Sequence, residues 1–416
     1  MPKIKIEGKH TLTGSINISG AKNSAVALIP ASILCDEEVT ISNVPNISDI
    51  DSLEEILISL NAKITRNEEV VKIDSFDIKN NPIGENLSKK LRASYYFMGA
   101  LLGKFKKVDM YFPGGCVIGE RPINLHLKGF EKLGAKIIED GNHFIIYADE
   151  LKGNKIYLDI PSVGATINIM LAAVKAKGKT YIKNAAKEPE IVNVATFLNN
   201  MGAKIKGAGT NVITIEGVDY LHSCFHEVIP DRIEAGTYLI IGALLGNNLK
   251  INNIIPSHIE SLTSKLREAG VNMEINDDNI IVSKTEKLKA IDIETLVYPG
   301  FPTDLQQTII PFLTQCDGIS KVRETIYENR FQNIPDTIKL GADISVKNNK
   351  IALVKGKTEL IGCDVSATDL RGGASMIICA LIAEGTTIVD NIHFILRGYD
   401  DIVEKLSNVG AKIELI

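Results

Sequence analysis

The chain has 416 residues, 45% hydrophobic and 23% charged, which is ordinary globular usage for two or three domains and excludes disorder and collagen-like repetition. Its 46 basic and 51 acidic side chains leave a net charge of −5, so no basic excess is offered to nucleic acid. Apolar stretches such as 238–245 and 376–383 are too short for membrane insertion, the first residues lack a signal-peptide core, and six cysteines at 35, 116, 224, 316, 363 and 379 form no CxxC pair, which suggests neither a zinc site nor a redox motif; a cytoplasmic protein with reduced thiols is expected.

In chain order, one phrase recurs: Asn61-Ala62-Lys63-Ile64, Gly134-Ala135-Lys136-Ile137, Gly202-Ala203-Lys204-Ile205, Gly270-Val271-Asn272-Met273, Gly341-Ala342-Asp343-Ile344 and Gly410-Ala411-Lys412-Ile413. The spacings between copies are 73, 68, 68, 71 and 69 residues. The leading glycine, once asparagine, stands where a helix C-terminus needs a left-handed residue. Upstream of it each copy has an apolar helix (25–34, 93–102, 167–176), a β-rich run (Val39-Thr-Ile-Ser, Val108-Asp-Met-Tyr, Thr387-Ile-Val-Asp) and a second helix. Downstream comes a hairpin, turning at Asp140-Gly141-Asn142 or Asn348-Asn349. Each copy therefore reads βαβαββ.

The sixth copy ends at Ile416, one strand short. Ile4-Lys5-Ile6-Glu7-Gly8 resembles Ile213-Thr214-Ile215-Glu216-Gly217, the closing strand of the third copy, so the N-terminal strand is expected to complete the sixth. Six copies then divide three and three. Residues 21–229 form a continuous domain, and 1–20 plus 230–416 a discontinuous one. A solenoid is the rival architecture, which the end-closing strand opposes.

Two positions per copy carry polar or charged residues at helix starts. Before the first helix stand Lys22, Arg92, Ser162, Arg232, Asp304 and Arg371; before the second stand Asp49, Arg121, Glu190, His258, Arg330 and Arg397. The offsets are 27, 29, 28, 26, 26 and 26 residues. Helix starts attract polar caps in any fold, and Arg232 and His258 fit that reading best. Recurrence through six copies points instead to a cleft lined by helix N-termini and cations, suited to phosphate and carboxylate.

Pro113-Gly114-Gly115-Cys116-Val117-Ile118-Gly119-Glu120-Arg121-Pro122 excludes a helix interior and presents a thiol. The nearby Arg121 would favour its thiolate, which suits an acid or a nucleophile. Packing as a small hydrophobe fits Cys35, Cys316 and Cys379 better.

Together these segments resemble the UDP-N-acetylglucosamine 1-carboxyvinyltransferase family of enolpyruvyl transferases. The resemblance runs from Ser19-Gly-Ala-Lys22-Asn23 through Leu91-Arg92-Ala-Ser, the Gly-Gly-Cys loop, Ser162-Val-Gly-Ala-Thr, Glu188-Pro-Glu190-Ile-Val and Pro230-Asp-Arg-Ile-Glu. It continues through Phe301-Pro-Thr-Asp304, Glu328-Asn-Arg330-Phe, Ala367-Thr-Asp-Leu-Arg371 and Arg397-Gly-Tyr. It implies an α/β fold of two domains, an inside-out α/β barrel with three βαβαββ units in each and an active site in the cleft between them. It implies addition of the sugar 3-hydroxyl to carbon 2 of phosphoenolpyruvate (PEP), with loss of phosphate, as the committed step of peptidoglycan synthesis. By the same resemblance Lys22, Arg121 and Arg397 would hold the PEP phosphate, Arg330 and Arg371 its carboxylate, and Asn23 would sit near the tetrahedral intermediate. Asp304 would take the hydroxyl proton and Cys116 would protonate the PEP methylene. Arg92, Arg121, Pro122, Ile123, Asn124, Leu125, Ser162, Val163, Asp304 and Ile326 would line the UDP-sugar. One departure is Ile160, where some members have a lysine for the diphosphate.

Two alternatives share parts of this pattern. One is the shikimate-pathway relative, 5-enolpyruvylshikimate-3-phosphate synthase, which shares the chemistry but not the Gly-Gly-Cys loop. The other is an inactive UDP-sugar-binding regulator.

Overall fold

The structure, a computed structural model, describes residues 2–114 and 123–416. It divides into two compact units: residues 2–19 with 230–416, and residues 20–114 with 123–229. Each unit repeats one layered design. In the third copy Lys155–Tyr157 pairs parallel with Lys179–Lys183, which pairs antiparallel with Val212–Glu216, which pairs antiparallel with Lys204–Lys206. The helices Val163–Ala173 and Pro189–Asn200 lie between the first and second strands and the second and third.

The first helix of each copy is apolar on every side and is buried accordingly. Residues 164–173, 233–245 and 371–382 are buried throughout. In one unit Arg232–Leu245, Gln306–Thr314 and Leu370–Ile382 pack against one another, and in the other Tyr96–Phe105 packs on Lys22–Ala31 and Val163–Ala173. The sheets lie outside these helices, with alternate residues buried, as in Val212–Glu216. Second helices bury one stripe; Ser48–Ser59 buries Asp49, Ile50, Leu53, Ile56 and Leu57. Helices inside and sheets outside is the inside-out α/β arrangement that the family resemblance implied.

The repeated phrase has its expected backbone. Asn61, Gly134, Gly202, Gly270, Gly341 and Gly410 have φ of 70°, 97°, 101°, 100°, 111° and 105°. Ile4–Glu7 lies between Thr386–Asp390 and Lys412–Leu415, antiparallel to both, and so closes the sixth sheet. Its likeness to the third copy extends to the glycine that follows. A Cβ on Gly8 would lie 2.0 Å from the Ala383 carbonyl oxygen, and one on Gly217 would lie 1.6 Å from that of Ala176. In both copies the strand ends against the C-terminus of the buried helix, with room for a hydrogen only. Gly217→Ala is therefore expected to cost at least about 2 kcal/mol, measured by denaturant unfolding, because the obstacle is backbone that cannot move aside.

A second strand exchange was not anticipated. Ser15–Asn17 pairs parallel with Leu249–Asn252 and opens the fourth copy, whereas Phe225–Glu227 pairs parallel with Glu38–Ser42 and opens the first. The chain thus leaves and returns through two three-residue strands, each filling a sheet whose remaining strands are distant in sequence. No helix among the described residues is long and apolar enough to cross a membrane.

Candidate active site

Asp304 lies in the short 3-10 turn Thr303–Leu305, ahead of a buried helix. Its Oδ1 accepts from Arg330 Nη2 at 2.8 Å and its Oδ2 from Arg371 Nη2 at 3.2 Å. Both arginine side chains are almost wholly buried, at 2% and 3% exposure, whereas Asp304 is 29% exposed. Two guanidiniums inside a protein are tolerable only with anionic partners, and one carboxylate does not satisfy both. Nε of Arg330, and Nε and Nη1 of Arg371, have no hydrogen-bond acceptor among the described residues. Such donors are costly to leave idle and fit a further carboxylate or phosphate.

The surrounding backbone fixes this group. Asp369 caps the helix Leu370–Ile382: its Oδ1 accepts from Arg371 N at 3.0 Å and Gly372 N at 3.2 Å, and its Oδ2 from Gln307 Nε2 at 3.0 Å. Glu324 is buried and gathers the loop beside Asp304. It accepts from the hydroxyls of Thr295 (2.9 Å) and Thr303 (3.1 Å) and from the backbone N–H groups of Ile326 (2.8 Å) and Tyr327 (3.1 Å). Arg397, half-buried, is the last residue of the 3-10 helix Ile392–Arg397.

In the other unit, Lys22 and Asn23 begin the helix Lys22–Ala31, and Lys22 Nζ lies 2.6 Å from Asp49 Oδ2. Lys22 and Asp49 occupy the same two repeat positions as Asp304 and Arg330. The pairing recurs with its charges exchanged. In these two copies the first-position and second-position side chains lie within ion-pair reach, with the sign set by the sequence. Arg232, at the equivalent place in the fourth copy, lies 5.5 Å from the Tyr298 ring centre.

Arg92 starts the 3-10 helix Arg92–Tyr95. Ile123 is buried, and Asn124 and Leu125 open the helix Asn124–Lys132. Ser162 caps the helix Val163–Ala173, its hydroxyl accepting from Ala165 N at 3.3 Å. Ile326 is held through its backbone by Glu324. Cys116, Arg121 and Pro122 lie outside the described residues. No group of three or more His, Cys, Asp or Glu able to hold a metal occurs among the described residues.

Sequence reasoning passed over Glu324, Asp369, His126 and Glu234, each of which has at least one partner remote in the chain. Glu234 is buried, its Oε1 2.6 Å from Lys405 Nζ and its Oε2 accepting from Ser19 N at 3.0 Å. Burial nevertheless pushes its carboxyl up from 4.5 to about 7. The native state then binds a proton that the unfolded chain releases, so this contribution is complete below pH 4.5 and is lost as pH rises through about 7. Glu234→Gln is expected to flatten that fall, by up to about 3 kcal/mol between about pH 5 and about pH 8 in denaturant unfolding.

A sequence model of the family described as EPSP synthase (3-phosphoshikimate 1-carboxyvinyltransferase) matches residues 6–406. UDP-N-acetylglucosamine 1-carboxyvinyltransferase 2 of Bacillus cereus is 54% identical over 99% of this chain and 96% of its own length. The protein of the same name from Listeria innocua is 51% identical over 99% and 97%. Among solved structures, the enolpyruvyl transferase NikO from Streptomyces tendae superposes with a TM-score of 0.90 at 25% identity, covering 100% of this chain and 99% of that one. An EPSP synthase from Acinetobacter baumannii superposes with a TM-score of 0.77 at 18% identity, over the whole of both chains.

Proposed function

Because the chain belongs to the EPSP synthase family of 1-carboxyvinyltransferases, we infer that it transfers the enolpyruvyl group of PEP to the 3-hydroxyl of UDP-N-acetylglucosamine, releasing phosphate in the first committed step of peptidoglycan synthesis. The observation that carries the choice of acceptor is the identity of 54% along 99% of the chain to an enzyme named for that sugar nucleotide. The shikimate-pathway structure supports only the fold, at 18% identity.

The reading assigns each residue a task. Arg330 and Arg371 take the PEP carboxylate. Both are bound to Asp304, and three of their buried nitrogens, Arg330 Nε and Arg371 Nε and Nη1, lack an acceptor among the described residues, which supports an arriving carboxylate as their partner. That exchange frees Asp304 to receive the sugar hydroxyl and its proton. Lys22, Arg121 and Arg397 neutralise the phosphate and stabilise it as it leaves. Asn23 lies next to the tetrahedral carbon, and Cys116 delivers the proton to the methylene. Arg92, Arg121, Pro122, Ile123, Asn124, Leu125, Ser162, Val163 and Ile326 hold the sugar nucleotide. The chemistry is acid–base addition and elimination, and the reading assigns no metal or organic cofactor. It places the reaction in the cytoplasm, a reducing compartment that suits the free thiols Cys35, Cys224, Cys316, Cys363 and Cys379.

Phosphate release from purified protein supplied with PEP and UDP-N-acetylglucosamine tests the proposal. Release that depends on both substrates is expected. Release with shikimate 3-phosphate in place of the sugar nucleotide would reassign the acceptor. Sugar-nucleotide binding without release would make the protein a regulator.

A further inference from the structure

The side chain of Asn168 is oriented by backbone. Gly99 N–H donates to its Oδ1 at 2.8 Å, which turns its NH2 toward His126 Nδ1, 2.9 Å away. An amide NH2 can only donate, so Nδ1 is an acceptor without a proton and the neutral ring carries its hydrogen on Nε2. Asn168 and His126 are 0% and 5% exposed. Burial, with the Arg92 guanidinium acting in the same direction, holds the ring down to about 3. The Tyr95 ring meets it edge-on, with centroids 5.0 Å apart. His126 Cε1 and the Tyr95 hydroxyl also crowd Gly164, where a Cβ would lie 2.9 Å from each.

Three segments converge on this imidazole: the turn that begins with Arg92, the helix start with Asn124 and Leu125, and the helix start with Ser162 and Val163. We propose that His126, locked as its neutral Nε2–H tautomer by Asn168 and Gly99, is a positioning residue that sets the spacing of these three segments for the sugar nucleotide. The proposal rests on the function inferred above. A charged ring would oppose the Asn168 NH2 with a second donor and set a cation beside Arg92, so the device works only with a neutral ring. The facing helix Val163–Ala173 carries no ionisable side chain. Among the described residues, Arg92 and Tyr95 are the charged and titratable groups against the ring, while Lys128 on its own helix pairs with exposed Asp159.

Steady-state kinetics on three variants test this. His126→Phe, which keeps the ring volume but loses the acceptor, is expected to raise KM for UDP-N-acetylglucosamine about tenfold or more, the value of one buried hydrogen bond, with KM for PEP within about twofold. His126→Gln restores an acceptor and should recover most of that loss. Asn168→Asp replaces the donor with a carboxylate that favours imidazolium. It should introduce an ionisation between about pH 5 and about pH 8 into the sugar-nucleotide KM, which the wild type lacks. A packing role alone would lower the yield or unfolding midpoint of these variants and leave both features unmoved, which overturns the proposal. A wild type that does not turn over the sugar nucleotide removes both readings. A wild type that does, with all three variants at its KM and pH profile, removes only this one.

Discussion

Asp304→Asn is expected to leave a folded protein whose turnover is lower by about 10²-fold or more, the usual contribution of a positioned general base. The geometry adds a sharper expectation for the split between kcat and KM. In the wild type the carboxylate bridges Arg330 and Arg371, at 2.8 Å and 3.2 Å. A carboxamide can accept from one of them but turns an NH2 toward the other, and it carries no charge to set against two buried cations. A PEP carboxylate would then meet guanidiniums with no internal competitor. KM for PEP should stay level or fall while kcat drops. The loss belongs to the chemical step, because an amide oxygen cannot take the hydroxyl proton. Rapid-quench turnover and PEP titration on the same preparation measure both numbers, and an unfolding midpoint confirms that the fold is intact. Near-normal turnover in a folded Asp304→Asn protein would remove the residue from the mechanism.

The repeat architecture was legible because it is written in local chemistry. A left-handed residue after a helix leaves a glycine or an asparagine, and six of them at near-constant spacing mark six units whatever the rest of the sequence does. The strand that closes the sixth sheet was legible because Gly8 and Gly217 answer the same steric demand, close approach to a carbonyl just past the end of the buried helix, in two copies. Ser15–Asn17 and Phe225–Glu227 were not legible. Three residues are too few to show an alternation, and their partners lie more than 180 residues away in each case. Charge was readable by position and unreadable by partner. The sequence marks Lys22, Asp49, Asp304 and Arg330 as equivalent places, but only coordinates show that the first pair and the second pair are each an ion pair with opposite polarity. Glu324, Asp369 and His126 look ordinary in the sequence, since a buried polar side chain is identified by what it touches, and each touches segments remote from its own.

Fosfomycin, a phosphonate epoxide, is expected to alkylate one cysteine in six, and that one is Cys116. The other five thiols are set apart by their surroundings. Burial pushes Cys224 up to about 11 and Cys316 up to about 12, and it moves Cys35, Cys363 and Cys379 in the same direction, so none of them offers an appreciable thiolate near neutral pH. Cys116 stands instead between glycines and five residues before Arg121, in a segment whose composition bars a helix interior. An anionic epoxide brings both halves of the reaction to it. The phosphonate suits the cations assigned to the PEP phosphate, and the ring carbon accepts the sulfur while the epoxide C–O bond opens to an alkoxide that takes up a proton. Prior binding of the sugar nucleotide should speed alkylation if it assembles those cations around the loop. Cys116→Ser should lose both the adduct and turnover, the latter by about 10²-fold or more, because an alcohol is too weak an acid to protonate the PEP methylene. Cys116→Asp should keep measurable turnover, since a carboxylic acid can still deliver a proton, yet should resist the epoxide. Peptide mass mapping after treatment locates the adduct. Label on Cys35, Cys224, Cys316, Cys363 or Cys379 with Cys116 unmodified would show that the reactive thiol is elsewhere, and full turnover by Cys116→Ser would take the proton donor out of this loop altogether.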